Sequence, residues 1–360
     1  MKKIIINGSF LCRNLTGIER FSLEICKRLD SLDKNSLFEL YVPKDAKFIP
    51  ELSNLKITIS QSNLIKFPLW DHFTFPKYVK KSDGISLDFA NLTSLFQPGL
   101  VFIHDIYAKL YPQDFTSKKD KLRRFYMCWM YNHAIKKGKH IFTVSEFSKN
   151  QIIDTYKISS EKISVIPNGW DHFTNITEDN SIFANFPTLK SKEYYFTLGS
   201  LQKRKNLIWL VQYAKTHPEE LFAISGKAIS GMVSNEIDNL QNLDNVILLG
   251  YVSDEQVKAL MKNCKAFIFP SYYEGFGIPP LEALSVGAKI IVSDIPCFHE
   301  IYKNSAYYIN PNNSDIDIED LLKLTVESPD TILNFYQYDN AAKKLYNEIN
   351  LFVTNNEVRL

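Results

Sequence analysis

The sequence predicts two doubly wound α/β halves, each built on a parallel sheet. Short apolar runs of buried-strand type alternate with helical patterns along most of its length, as they do where helices cover both faces of a sheet. The alternation comes in two series, with a polar, poorly periodic stretch between them at 172–191. A length of 360 residues suits two cores of ordinary domain size.

In the first series, "KKIIIN" reads as a buried strand and "GIERFSLEICKRLD" as an amphipathic helix with Ile18, Phe21, Ile25 and Leu29 on one face. The runs "LFELYV", "KITIS", "GLVFIHD", "KHIFTVS" and "KISVIP" come next as strands. Between "VFIHD" and "HIFTV", a long helical pattern sets Leu122, Phe125, Tyr126, Trp129 and Met130 at three- and four-residue spacing. The second series runs "YYFTLGS", a helix from Asn206, "LFAISG", a helix, "NVILLGYV", a helix, "AFIFPS", a helix and "AKIIVSD". The expected division is a domain over 1–172, a linker at 173–191, a second domain over 192–330 and a helical segment at 331–360.

Composition narrows the function classes. Apolar residues make up 45% and charged residues 23%, an ordinary globular balance, and a net charge of +2 gives no general case for nucleic-acid binding. The five cysteines (Cys12, Cys26, Cys128, Cys264 and Cys297) have no zinc or redox spacing and read as reduced thiols. The opening "MKKIIINGSFL" loses its apolar run at Asn7-Gly8, too early for a secretory leader. No run approaches the roughly 18 apolar residues of a membrane span. A cytoplasmic protein is the expectation.

Two such sheets facing each other would hold a ligand at the carboxyl ends of their strands, where helix N-termini attract anions. Four places there carry chemistry. Gly17 opens the first helix and fits either a close approach to phosphate or an ordinary turn. His104 ends the run "GLVFI" and opens a polar loop, where an imidazole can exchange hydrogen bonds with a hydroxylated substrate or serve only structure. Lys203, Arg204 and Lys205 crowd the start of the next helix after "YYFTLGS"; their position favours a diphosphate over a merely solvated basic turn.

The fourth place is "YEGFGIPPLEAL", which sets Glu274 and Glu282 eight residues apart around two glycines and two prolines. Gly275 and Gly277 can expose backbone amides, while Pro279 and Pro280 fix the entry to a helix. Carboxylates beside anion-favouring amides suit a ligand with both hydroxyls and phosphates. A capped surface helix would account for Glu282 but not for the Gly-Phe-Gly turn ahead of it. The dinucleotide fingerprint GxGxxG is absent, which weighs against a nicotinamide enzyme.

"EGFGIPPLE" resembles the acid–seven residues–acid motif of the retaining glycosyltransferases of family 4, which have the two-Rossmann GT-B fold. The blocks "TGIERFSLEI", "FIHDIYAKLYPQDF", "TVSEFSKNQI", "VIPNGWDHF", "LGSLQKRKNL", "LLGYVSDEQVKAL" and "SDIPCFHEI" are similar to that family's blocks and come in the same order. "YQYDNAAKKL" resembles its closing helix, with Tyr338 where tryptophan is usual. The resemblance implies that Glu282 grips the ribose hydroxyls and that Glu274 lies near the donor sugar with the amides of Phe276 and Gly277. It implies a diphosphate pair in Arg204 and Lys205, a close-approach glycine in Gly17, and a histidine contacting the transferred sugar in His104. The backbone at Tyr251 and Val252 would hold the base. Ser200 departs from the members that carry arginine there, leaving that phosphate contact to Arg204.

The resemblance further implies hexose transfer with retention at the anomeric carbon, no cofactor and no metal. The donor would be GDP-mannose, dTDP-rhamnose or a UDP-sugar, and the acceptor a glycan or polyprenyl-linked glycan of bacterial polysaccharide synthesis. "DID" at Asp315–Asp317 lies in a polar loop, the wrong place for a metal-binding DxD. Rival readings are a GT-B subunit that binds a nucleotide sugar without transferring it, and a nucleotide-sugar epimerase. Product analysis separates them. The segment "KKDKLRRFYMCWMYNHAIKKGKH" reads either as a core-facing helix with a solvated basic face or as a membrane-surface element peripheral to the inner face.

Overall fold

The computed structural model describes residues 2–198, 202–226 and 243–357 and divides into two compact units. Unit one comprises Met1–Gly169 and Tyr336–Leu360, and unit two comprises Trp170–Phe335. Among the described residues, unit one holds a seven-stranded parallel sheet: β1 (Ile4–Asn7), β2 (Phe38–Val42), β3 (Lys56–Ile59), β4 (Ile85–Asp88), β5 (Leu100–Phe102), β6 (His140–Thr143) and β7 (Ile163–Val165). The strand order is β3-β2-β1-β4-β5-β6-β7. Unit two has six parallel strands: β8 (Tyr194–Leu198), β9 (Leu221–Ser225), β10 (Val246–Gly250), β11 (Ala266–Phe269), β12 (Ile290–Ser293) and β13 (Tyr307–Ile309), in the order β10-β9-β8-β11-β12-β13.

Both sheets reverse their order beside the first strand, at β1/β4 and at β8/β11. The chain leaves neighbouring strands toward opposite faces there, so their carboxyl ends open a crevice. In unit two the basic turn Lys203–Lys205 follows β8 and the Glu274 loop follows β11, so the order of strands brings these two segments together.

The expected linker is instead part of unit two. Lys258 Nζ donates to the carbonyls of Phe173 (2.8 Å) and Ile176 (2.7 Å), the Asp179 amide donates to Glu255 O (3.1 Å), and Phe173, Ile182 and Leu189 are buried. Its weak periodicity reflects short turns pinned by a lysine from another helix. The closing helix Tyr338–Glu357 belongs to unit one. Its Ala341, Ala342, Leu345 and Ile349 share a core with Phe21, Ile25 and Leu29 of the Gly17–Leu32 helix. Two alanines let the helices approach closely, and Arg28 lies over the Tyr338 ring at 5.7 Å. Ile18, expected on the same apolar face, is only half-buried.

The long helix Lys118–Lys137, capped by Ser117, buries Met130 as its spacing suggested and leaves Tyr126 half-buried, but its main core face lies elsewhere. Tyr131, Ala134 and Ile135 are buried with β5 and β6, and Met127 and Cys128 pack against them. Leu122, Phe125 and Trp129 are exposed. The helix carries apolar residues on both sides, so periodicity alone could not say which side the sheet covers.

Candidate active site

The basic turn after β8 meets the loop after β11 at Glu274. Its carboxylate is buried, and it is bound by Arg204 Nη1 on one oxygen and by Lys205 Nζ at 2.7 Å on the other. Arg204 reaches this place because its own carbonyl accepts from the Tyr272 amide (3.0 Å), while its Nε donates to Gln202 Oε1 (2.6 Å). Lys205 Nζ also sits 4.5 Å from the Phe269 ring centroid. Asn206 adopts the left-handed conformation (φ 56°) and donates to the carbonyls of Pro270 (3.0 Å) and Pro311 (2.8 Å), which ties the basic turn to the end of β11. Burial by itself would raise the Glu274 pKa, but the Arg204 and Lys205 charges outweigh it and hold the carboxyl below its ordinary range. The two cations and the acid therefore form one pre-organised group.

Glu282 lies in the helix Ile278–Ser285, whose first turn contains Pro279 and Pro280. Prolines there remove two amide donors from the helix start, leaving those of Ile278 and Leu281. His172 Nε2 stands 3.0 Å from Glu282 Oε1, and both side chains are largely withdrawn from water. His172 was not among the residues expected from sequence, because it lay at the edge of the supposed linker. The signal was "GWDHF", which falls in a block similar to the family's. The two atoms lie close without an aligned hydrogen bond, so His172 confines the Glu282 carboxylate by proximity. His172→Ala should weaken binding of a nucleotide-sugar donor about three- to tenfold, the scale of losing one close polar neighbour of the carboxylate, with His172→Gln retaining more affinity. Calorimetric titration of both variants checks this, and equal affinity of wild type and alanine variant would remove the role.

Between the two acids, Phe276 is buried and Gly277 has φ +97°. Gly277 O accepts from the Tyr302 hydroxyl, and a Cβ on Gly277 would lie 2.9 Å from both Phe298 Cε1 and Tyr302 Oη. After β10, Gly250 turns with φ +71° and the chain presents an exposed Tyr251 and a buried Val252 before the Ser253-capped helix. Ser200 lies outside the described residues.

Gly17 and His104 belong to unit one. A Cβ on Gly17 would meet nothing within 4 Å, so packing inside the chain does not demand glycine there. His104 is buried, edge-on to Phe21 at 5.2 Å, with Nε2 2.7 Å from Phe89 O. A carbonyl only accepts, so Nε2 carries the proton and Nδ1 is the acceptor nitrogen. Burial lowers the His104 pKa, which keeps the ring neutral at pH 7.

Unit one also contains a polar group that sequence reasoning missed. Asn7 Nδ2 donates to Asp71 (3.0 Å) and Asp88 (2.9 Å), and Trp70 Nε1 donates to Asn7 Oδ1 (2.8 Å). Burial raises the pKa of both acids, that of Asp88 to about 7. With Arg13 and Glu19 they line a recess at the ends of β1 and β4. β4 ("ISLD") is a strand with two polar residues, and without recognising it Asp88 could not be placed at a strand end.

Comparison with known proteins identifies the family. Residues 15–172 match the model described as Glycosyltransferase Family 4, and residues 178–354 match Glycosyl transferases group 1. An O-antigen chain mannosyltransferase of Salmonella typhimurium is 27% identical over 96% of this chain and 98% of its own length. A UDP-Gal:α-D-GlcNAc-diphosphoundecaprenol α-1,3-galactosyltransferase of Escherichia coli is 26% identical over 94% of this chain and 91% of its own. An Anabaena protein solved with UDP and glucose aligns with a TM-score of 0.66 at 15% identity, covering 97% of this chain and all of that one. Two parallel-sheet Rossmann-like units, with family matches across nearly the whole sequence, place this chain among the glycosyltransferases of family 4 and the GT-B fold.

Proposed function

We propose that this glycosyltransferase moves a hexose from a nucleotide-sugar donor to a glycan or polyprenyl-linked glycan, with retention at the anomeric carbon and without a divalent metal. The Arg204–Glu274–Lys205 group carries the reading. Its two cations suit the charge that develops on a departing diphosphate, and Glu274 keeps them in place before the donor arrives. Glu282, steadied by His172, offers a carboxylate to ribose hydroxyls. The amides of Phe276 and Gly277 are offered to the sugar, and the backbone at Tyr251 and Val252 to the base. In unit one, His104 Nδ1 offers an acceptor for a sugar hydroxyl, and the open space at Gly17 admits a phosphate. The recess lined by Asp71 and Asp88 suits an acceptor presenting hydroxyl donors. The relatives' names support a mannosyl donor for bacterial surface polysaccharide.

Retention is assigned to a front-face displacement in which the leaving phosphate helps to deprotonate the acceptor. The test is ligand-observed NMR against GDP-mannose, dTDP-rhamnose, UDP-glucose and UDP-N-acetylglucosamine, with wild type and Glu282→Ala. One donor should bind. Its affinity should fall about ten- to a hundredfold in the variant, as expected for loss of a charge-assisted hydrogen bond. Unchanged affinity would sink the Glu282 assignment. The anomeric coupling of the product and full activity in EDTA test retention and metal independence.

A further inference from the structure

His104 follows β5, and β5 lies between β4 and β6 in the sheet, so the segments leaving those two strands flank it. On the β6 side the ladder continues to the Ile103 amide, which donates to Phe142 O at 2.8 Å. On the β4 side the pairing has ended, and the side chain of Asn91 takes the place of a strand carbonyl. Its Oδ1 accepts from the His104 amide at 2.7 Å. The His104 carbonyl accepts from the Ser148 hydroxyl at 3.0 Å. Ser148 lies in the first turn of the Glu146–Tyr156 helix, where its own amide donates to Oγ of the capping Ser145 at 3.0 Å. Nε2 donates to Phe89 O at 2.7 Å. Among the described residues, every polar group of His104 except Nδ1 is therefore engaged.

These contacts have rigid surroundings. Phe89 packs its ring on Phe21 (5.8 Å) and Phe102 (5.3 Å), which fixes the start of the loop that carries Asn91. The same two rings flank the His104 imidazole, at 5.2 and 5.7 Å. Ser148 is buried and Asn91 half-buried. Backbone groups at the end of a strand are commonly met by water or by the next turn. Here two side chains, 57 positions apart by subtraction of their numbers, take both backbone groups of one residue. Holding the amide and the carbonyl fixes the direction of Cα–Cβ, and the Phe89 carbonyl then fixes the rotation of the ring. Nδ1 is left with one place to point. We propose that Asn91 and Ser148 are positioning residues that aim His104 Nδ1 at a hydroxyl of the transferred sugar. The inference rests on the reading of His104 as a sugar contact, and it adds two residues that act through the histidine rather than on the substrate.

Calorimetry on the full chain tests this, comparing GDP-mannose with GDP (or whichever donor the NMR panel selects with its own nucleoside diphosphate). The proteins are wild type, His104→Ala, Asn91→Ala, Ser148→Ala, and His104→Ala combined with each of the other two. Diphosphate affinity should be the same in all of them, because the substitutions lie in unit one and the Arg204–Glu274–Lys205 group in unit two. Nucleotide-sugar affinity should fall about three- to tenfold in each single variant, the scale of one displaced hydrogen bond. The double variants should lose no more than His104→Ala alone, as expected of side chains that work through the same imidazole. Asn91→Asp keeps Oδ1 and should recover most of the loss. Long-range nitrogen–proton spectra, with the His104 signals assigned by their absence in His104→Ala, should show a pure Nε2–H tautomer in wild type and a mixture in Asn91→Ala and Ser148→Ala. Normal nucleotide-sugar binding by Asn91→Ala and Ser148→Ala beside a defective His104→Ala would overturn the proposal alone. So would losses that add to that of His104→Ala, or diphosphate binding that weakens in parallel. Normal nucleotide-sugar binding by His104→Ala would sink the reading of His104 itself, and the positioning role with it.

Discussion

Glu274→Gln is expected to lower kcat/KM by about two to three orders of magnitude while leaving the protein folded at neutral pH. An amide keeps the shape of the side chain but not its charge, so Arg204 and Lys205 lose the anion that fixes both. Removing one fixed donor from a charge-stabilising site costs about 10²–10³ in rate, and here two cations are affected together. Glu274→Ala goes further and leaves a void beside two largely buried cations, a loss of about 3–5 kcal/mol for breaking a buried pair from one side. The pH dependence has a defined sign. Because the folded-state pKa is held below the ordinary carboxylate value, the ionised group's contribution is complete above the unfolded-state pKa and is lost as pH falls through the folded one. Melting curves of wild type and Glu274→Gln should therefore lie furthest apart near pH 7 and converge in acid. A separation that stays constant across that range, or a variant with wild-type donor affinity and rate, would mean that the three side chains are only structural.

The same triad marks how far the sequence could be read. Strand-then-helix alternation was legible because each strand is a solid apolar run, and that alternation placed Lys203–Lys205 and Glu274 each after a strand; that β8 and β11 are neighbours came only from the sheet order. That the acid binds the cations directly was not legible, since opposite charges seventy positions apart give no local signal. Periodicity failed where a helix is apolar on two sides: Leu122, Phe125 and Trp129 have core-like spacing, yet the sheet covers Tyr131, Ala134 and Ile135. It failed again at 173–191, where order comes from Lys258 gathering backbone carbonyls and from a few buried anchors. β4 and β13 were missed for related reasons, one carrying Ser86 and Asp88 and the other spanning three residues. Side chains that act on distant partners are found by topology, as His172 and Asp88 were.

Gly277→Ala should destabilise unit two by about 2–5 kcal/mol and impair donor binding beyond what the loss of folded protein explains. Two costs combine. An alanine held at φ +97° pays about 1–2 kcal/mol of backbone strain. Its Cβ also arrives 2.9 Å from Phe298 Cε1 and Tyr302 Oη, and overpacking of this kind costs about 1–3 kcal/mol. Those neighbours cannot retreat easily: both rings are fully buried, Phe298 leans on Phe269 at 5.8 Å, and Tyr302 donates to Gly277 O. Any relief must come from the loop itself, which carries the amides of Phe276 and Gly277 and leads into the helix of Glu282. Gly287 supplies the control, with φ +77° and nothing within 4 Å of a built Cβ. Gly287→Ala carries the strain alone, so in urea unfolding it should lose less than Gly277→Ala and bind donor normally. Equal losses at the two positions would show that the Phe298–Tyr302 wall yields, and that the loop owes its shape to backbone conformation rather than to the helix packed behind it.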